Sequence, residues 1–501
     1  MPCRRLAISR RSGRLDGMKR IASVILVVLV LVAFSHSTVA RTWTQAASGK
    51  KIEADLIKVV DGTVHLRLAN GRIGEVPLAT LSKSDQEYVA SLGNSDTAAK
   101  KSSVGWPNFR GPKLDDISPD EGLLDSIPSG GPKQLWVYKD AGMGYSSYSI
   151  VDGKLYTLGA RDDDLTLICL NAEDGKEIWS TIFGKDDQKG YNTGWGNGPR
   201  STPTVSDGLV FVLGPKGTIA CFSAEDGKEK WSKNMLDDFG GKAGGWGYAA
   251  SPFIDGDHWI IAPGGQDAGI VCLNKKTGAV VWKADEVKPG KAEYATIVPA
   301  EINGVKQYIR LFEKQLVGVS ADKGKLLWSS PWEGRTAVIP TPIVDGNQIY
   351  ITSAYNAGCK LVEIGPDNTP KDVWINKEMQ NHHGGVVKVG DYLYGFSKKG
   401  LICQDWKTGK VVWNQQDRKT LSKGAVHVAD GKLFALNETD GTLTVAEASP
   451  KGFTSEGQFQ LSPQSPDRNP KGAIWTHPVV LDGKLYLRDQ ENIVCYDVKK
   501  H

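Results

Sequence analysis

VDGKLYTLG at 151–159, followed by LICLNAEDGKEIW at 167–179, sets out a unit that the chain uses again and again. Its order is an apolar strand, an Asp-Gly turn, a strand rich in Tyr, Val and Leu, a loop, a strand ending near Cys-Leu, an acidic-Gly-Lys turn, and a strand closing on Trp. The order returns as SDGLVFVLGPKGTIACFSAEDGKEKW at 206–231 and as KVGDYLYGFSKKGLICQDWKTGKVVW at 388–413. The closing tryptophans Trp179, Trp231, Trp282, Trp328, Trp374 and Trp413 follow at intervals of 52, 51, 46, 46 and 39 residues. Four short strands per such period, each with an aromatic to dock on its neighbour, is what a propeller blade requires. A four-stranded sheet cannot cover both of its faces, so each blade must pack on the next, and the array must close. A seventh, degenerate unit runs from 424 to Phe459, which stands in place of Trp. An eighth begins at Trp475 and stops before its fourth strand, while KQLWVYKD at 133–140, around Trp136, is a surplus strand at the other end. Joining the two predicts eight blades with no open edge.

Composition agrees with an all-β chain. Of 501 residues, 40% are hydrophobic and 24% charged, which excludes a disordered polymer. Gly (57) and Trp (15) are plentiful and Met (5) scarce, as expected of tight turns between aromatic-anchored strands.

The first forty residues read as a secretory signal. Seven Lys/Arg precede the apolar run Ile21–Phe34, and SHSTVA follows, with Thr38 and Ala40 at the small-residue positions before a cleavable bond. The mature chain is then expected to start near Arg41, with no membrane span left; an uncleaved anchor is the alternative, since fourteen apolar residues are short for a bilayer span but not decisively so. Met18 is a second candidate start. Taking these seven basic residues and one acidic residue from totals of 61 and 57 leaves 54 and 56, so the rest of the chain has no basic footprint for nucleic acid. Export makes the six later cysteines candidates for disulfides. Yet Cys169, Cys221, Cys272, Cys403 and Cys495 occupy the same strand position in five repeats, which predicts buried free thiols. Cys169 is the first cysteine after the apolar run, too far away to carry a lipid at the cleavage site.

Residues 41–92 predict a compact β unit: IEADLIKVV, a turn at Asp61-Gly62, VHLRL, a turn at Asn70-Gly71, IGEVPL, and a helix capped by Ser82 or Ser84. Through Trp43, Gly49, Glu53, Ala54, Val64, Leu66, Gly71, Pro77, Asp85 and Tyr88 this segment resembles the Sla homology domain. That family implies an SH3-like adaptor module for protein partners. Residues 93–105 are small and polar and read as a tether, after which WPNFRGP opens the region 106–501.

The turns NAEDGKEIW, SAEDGKEKW, NKKTGAVVW, SADKGKLLW and DWKTGKVVW resemble the tryptophan-docking motif of the PQQ-like repeat. The resemblance implies an eight-bladed propeller similar to quinoprotein dehydrogenases and to the periplasmic scaffold BamB. Its residues build blades and do not by themselves assign chemistry. Quinoprotein enzymes hold PQQ and calcium on the ring axis. This chain lacks their adjacent cysteines, and no segment matches the calcium ligands or the base, so no catalytic residue is assigned. The pair His382-His383 suggests a metal, but neighbours on a strand point to opposite faces, and none is assigned there.

Candidate binding residues come from the long linkers at 185–203, 237–252, 376–386 and 463–478, each leading into an innermost strand. Ring geometry should gather Trp195, Arg200, Trp246, Tyr248, His382, His383, Trp475 and His477 at one mouth of the channel. They either pack neighbouring blades, with Arg200 tied to a carbonyl, or bind an extended polypeptide or polymer end. Two function classes follow: a non-enzymatic scaffold of the periplasm or cell envelope, with protein or carbohydrate-polymer partners, and a PQQ- and calcium-dependent dehydrogenase of alcohols or sugars.

Overall fold

The computed structural model describes residues 41–60, 63–68, 72–93 and 105–501, except 268, 399 and 418. The signal segment, most of the tether and the two small-domain turns lie outside the described residues. Contacts divide the chain into two units, 1–101 and 102–501. No helix among the described residues is long and apolar enough to cross a membrane.

The first unit is one antiparallel meander of Arg41–Thr44, Lys51–Val60, Thr63–Leu68 and Ile73–Pro77, closed by the helix Lys83–Gly93. Ser82 caps that helix: its Oγ accepts the Asp85 N–H at 3.2 Å and donates to Asp85 Oδ2 at 2.7 Å. The same carboxylate accepts the Thr44 N–H at 2.8 Å, so the cap ties the helix to the first strand. Trp43 fills the core and donates to Ala54 O at 3.0 Å.

The second unit is an eight-bladed β-propeller. Seven blades are four consecutive strands, from Ser149–Val151 through Glu177–Lys185 in blade 1 to Gly424–Ala429 through Ser455–Gln460 in blade 7. Blade 8 takes three strands from the C-terminal end and its outer strand, Lys133–Tyr138, from the start of the propeller; Trp136 pairs with Cys495 as Trp179 does with Cys169.

The repeated acidic-Gly-Lys turn has a packing cause. Gly227 has φ +69° and lies so close under the Trp179 indole that a Cβ would come within 2.6 Å of the ring. Trp136 on Gly175, Trp231 on Gly278, Trp282 on Gly324 and Trp374 on Gly409 repeat the contact. Five indole N–H groups, those of Trp136, Trp231, Trp282, Trp374 and Trp413, donate to a carbonyl of the next blade. Trp328 departs from the pattern: its ring folds over Gly318 of its own blade and donates to Gln307 Oε1 at 2.7 Å.

Phe459 needs correcting. It faces Leu443, two residues from Val445, the counterpart of the cysteine that pairs with Trp in other blades. It still crosses to blade 8, packing on Gly131 and edge-on to Tyr496, but the slot nearer the Trp register lies over Gly457 and is filled by Ile127.

The six described cysteines are free and buried. Burial pushes the Cys169, Cys221, Cys272 and Cys495 thiols up to about 12, so thiolate is scarce at neutral pH. A thiol-disulfide reagent should find essentially none of the six in the native protein and all of them in guanidinium. A fast-reacting thiol in the native state would contradict this packing.

Candidate functional site

One residue per blade, just before each innermost strand, forms a belt around the channel: Ser147, Thr202, Ser251, Thr296, Thr341, Gly385, Lys423 and His477. The belt is laced by hydrogen bonds. Ser147 N–H donates to Thr202 Oγ1 at 3.2 Å, Thr202 N–H to Ser251 Oγ at 3.0 Å, and Ser251 N–H to Thr296 Oγ1 at 3.2 Å. Ser147 Oγ–H closes the seam to blade 8 by donating to His477 O at 2.9 Å, and His477 Nε2 donates to His383 O at 2.8 Å. These residues line a cavity of about 460 Å³.

The strap 105–131 gives the cavity its floor. Trp106 pairs with Ile150 of blade 1, Pro107 O accepts the Val205 N–H of blade 2, Ser118 N–H donates to Val428 O of blade 7, and Leu124 N–H to Val498 O of blade 8. Leu114 packs against the cores at blades 3 to 5. Gly111, at φ +74°, folds against the Trp106 ring, where a Cβ would come within 2.5 Å. Phe109 and Arg110 thereby face up into the mouth. Arg110 donates to Val386 O at 2.8 Å and Leu114 O at 3.1 Å, with Nη1 3.7 Å from Asp116 Oδ2.

One wall is a run of touching rings. Tyr355 meets His382 edge-on at 5.0 Å between centroids, His382 and His383 are 3.7 Å apart, His383 and Trp475 4.5 Å, and Trp475 and Tyr145 5.0 Å. Arg200 lies over Tyr145 at 5.6 Å and Tyr191 at 5.1 Å, so a cation ends the run. Trp246 against Tyr294 forms another part of the wall, and Trp195 stands on the lip, 46% exposed. A side cavity of about 390 Å³ opens beyond His382 and His383, towards Phe396 and Lys398.

Residues 134–231 and 163–415 match the family described as Outer membrane protein assembly factor BamB. The chain belongs to this family. The BamB of Burkholderia pseudomallei is 27% identical over 344 residues, covering 65% of this chain and 74% of that one. The quinoprotein alcohol dehydrogenase PedH of Pseudomonas putida is 25% identical over 342 residues, covering 60% of this chain but only 51% of the dehydrogenase. Among solved structures, the quinohemoprotein alcohol dehydrogenase from Comamonas testosteroni aligns with TM-score 0.57 at 12% identity over 82% of each chain. BamB from Moraxella catarrhalis aligns with TM-score 0.50 at 14% identity, over 71% of this chain and 95% of that one. At such identities the structures speak for the fold alone. Residues 33–96 match SLA1 homology domain 1.

Of the eight mouth residues expected from the linkers, this BamB-family propeller brings seven to the cavity. Tyr248 is the correction: it is buried in the core between blades 2 and 3, where its hydroxyl donates to Pro263 O at 2.9 Å. Arg200 both lines the mouth and donates to Gly196 O and Gly198 O, each at 2.9 Å. The opposite-faces argument for the histidine pair fails because 382–383 is loop, and both rings face the mouth. His382 Nε2 is 2.8 Å from the Tyr355 hydroxyl. Burial, then the charges of His383 and Lys423, pushes the His382 imidazole down to about 2, so it stays neutral.

Sequence reasoning missed the belt and the floor. The belt had a signal, the polar residue before proline in Thr202-Pro203, Ser251-Pro252, Thr341-Pro342 and His477-Pro478. The calcium of quinoprotein enzymes does not fit the residues present. Calcium takes roughly six or more oxygen ligands. Among the described residues Glu438 is the one carboxylate lining the mouth, Asp116 is engaged beneath the floor, and no three His, Cys, Asp or Glu side chains converge on one point.

Proposed function

We propose that this protein is an exported, non-enzymatic adaptor of the periplasm or cell envelope, which holds a polypeptide partner in the propeller mouth and a second partner on its SLA1-homology domain. The observation that carries the reading is the mouth itself: an aromatic funnel with a hot-spot type of lining, Trp, Tyr and Arg, and an exposed Trp195 at its rim. The BamB relatives, described as outer membrane protein assembly factors, support a protein-binding role in the envelope. Oxidoreductase chemistry through calcium has no donor set here.

The experiment is site-specific photocrosslinking in the cell envelope. A benzoylphenylalanine at 195 should give a defined adduct, whereas one at Ile182, exposed on the outer strand of blade 1, should not. Trp246→Ala with Arg200→Ala should reduce the adduct at least about tenfold, the expected effect of losing hot-spot contacts. Equal adducts at both positions, or an unchanged adduct in the double variant, defeats the reading. So would a melting shift and dye reduction on addition of PQQ and Ca²⁺.

A further inference from the structure

We propose that the mouth selects an acidic segment of a polypeptide, laid along the run of rings with its carboxylates towards the two ends of that run. This rests on the reading of the mouth as a polypeptide site and adds the kind of sequence it takes.

The loops that carry the rings also place the charges of the mouth. At one end of the run, Arg200 lies over Tyr145 and Tyr191, and its Nη1 and Nη2 each donate to a carbonyl of its own loop. That loop is locked in turn. The Tyr145 hydroxyl donates to Trp195 O at 2.9 Å, and Gly196, at φ +118°, is so close that a Cβ there would come within 1.9 Å of the same oxygen. The guanidinium is therefore a fixed cation that gives up little freedom on meeting a partner. Lys471 belongs to this end too, since a Cβ on the next residue, Gly472, would lie 2.9 Å from Trp195 O and 3.3 Å from the Tyr145 hydroxyl oxygen. At the other end, Lys423 lines both the mouth and the side cavity together with Tyr355 and His382, and Lys398 lines the side cavity.

None of these four cations forms an ion pair with a carboxylate among the described residues, and the three lysines other than the masked Lys399, namely Lys398, Lys423 and Lys471, are exposed. Arg110 differs, because Asp116 lies 3.7 Å from it beneath the floor. Glu438, the one carboxylate of the lining, is turned to His383 Nδ1 at 3.7 Å, with its side chain 11% exposed. Beyond residue 40 the chain has 54 basic and 56 acidic residues, so a surplus of cations is a property of the mouth and not of the chain. Charge complementarity then calls for an acidic partner, and a basic segment would meet like charges at both ends of the wall. Between those ends His383 and Trp475 offer ring faces, which suit aromatic or aliphatic side chains set between the carboxylates. The strap floors the cavity, so the segment crosses the mouth and is not threaded through the ring.

The test uses the full mature chain and three pools of rhodamine-labelled octapeptides with blocked ends, read by fluorescence polarisation. Each pool alternates Phe, Tyr or Leu with a second residue: Asp or Glu in the acidic pool, Asn or Gln in the amide pool, Lys or Arg in the basic pool. In about 50 mM salt the acidic pool should bind at least about tenfold more tightly than the amide pool, from a few exposed ion pairs of about two- to fivefold each. The basic pool should bind least, and the acidic advantage should shrink as salt rises to about 0.5 M. Equal binding of the acidic and amide pools, or a preference for the basic one, overturns the acidic inference and leaves the polypeptide reading standing. Failure of all three pools at millimolar concentration overturns both. Sulfated dextran that competes as well per charge as the acidic peptides would reveal a surface for any polyanion, and that also overturns the inference. Arg200→Gln with Lys423→Gln should cut the ratio of acidic to amide affinity at least about threefold. An unchanged ratio in that folded variant defeats the charge assignment. If it does not fold, Lys423→Gln with Lys471→Gln, both at exposed positions, is held to the same ratio.

Discussion

Arg488→Ala should destabilise the propeller by about 3–5 kcal/mol, because it leaves several buried neutral acceptors without a donor at once, each at a cost of roughly 1–3 kcal/mol before the site relaxes. Arg488 sits on the second strand of blade 8, fully buried, and bonds across the seam where the ring closes. Its Nε donates to Gln490 O at 2.6 Å, its Nη1 to Leu158 O at 2.7 Å, Thr157 Oγ1 at 3.0 Å and Ser146 O at 3.1 Å, and its Nη2 to Gly142 O at 3.1 Å and Ala141 O at 3.3 Å. Every one of these acceptors is neutral. Burial pulls the guanidinium down to about 10, so it is still charged at neutral pH and the carbonyl fan must solvate it. Arg488→Lys should cost less than Arg488→Ala yet still destabilise, because an ammonium has three donors and no fork. Guanidinium titration gives the difference, and hydrogen exchange locates it: in the variant, amides of 133–138 and 484–497 should exchange before those of blade 3. A change under about 1 kcal/mol, the size of one ordinary hydrogen bond, would mean that the seam does not depend on this residue.

The ring was legible because its cause is local and repeated. Asp-Gly turns, a Trp and a Gly within each unit encode one docking contact many times over, and closure by residues around Trp136 followed from counting strands. What the sequence concealed is made of partners far apart along the chain. WPNFRGP reads as an irregular opener because Arg110 meets Val386, 276 residues on, and Asp116 meets His427, 311 residues on. No local pattern reports such a pairing. The same applies to blade 7, where Ile127 from the strap supplies what its outer strand lacks. Within the mouth, Trp246 and Tyr248 are two residues apart yet face the cavity and the core respectively, since irregular backbone has no fixed side-chain period to read. The histidine pair failed for the same reason: strand alternation was applied to a loop.

Asp116→Asn should cost about 3–5 kcal/mol by leaving Arg110 buried without a counter-charge, and it should loosen the floor of the mouth. The Asp116 carboxylate is the hub of the strap: Oδ1 takes the His427 Nδ1 proton at 2.9 Å, while Oδ2 faces His477 Nδ1 at 3.6 Å and Arg110 Nη1 at 3.7 Å. His427 must carry its proton on Nδ1 when neutral, because its Nε2 accepts the Val480 N–H at 3.2 Å. Burial alone would raise the Asp116 carboxyl; the hydrogen bond from His427, the neighbouring His477 imidazole and the charge of Arg110 overcome this and hold it well below the usual carboxylate range. Its contribution is therefore complete above the unfolded value of about 3.9 and is lost as pH falls towards the folded one. The stability gap between the natural protein and Asp116→Asn should thus be constant from neutral pH down to about 4 and shrink below it. A gap unchanged at pH 3 would show that the carboxylate is not what holds the strap. Arg110→Met with Asp116→Leu separates charge compensation from packing. If the two groups serve each other, the double variant costs less than the sum of the singles, by roughly 0.5–3 kcal/mol of coupling. Strict additivity would assign the floor to Phe109, Leu114 and the backbone bonds of the strap instead.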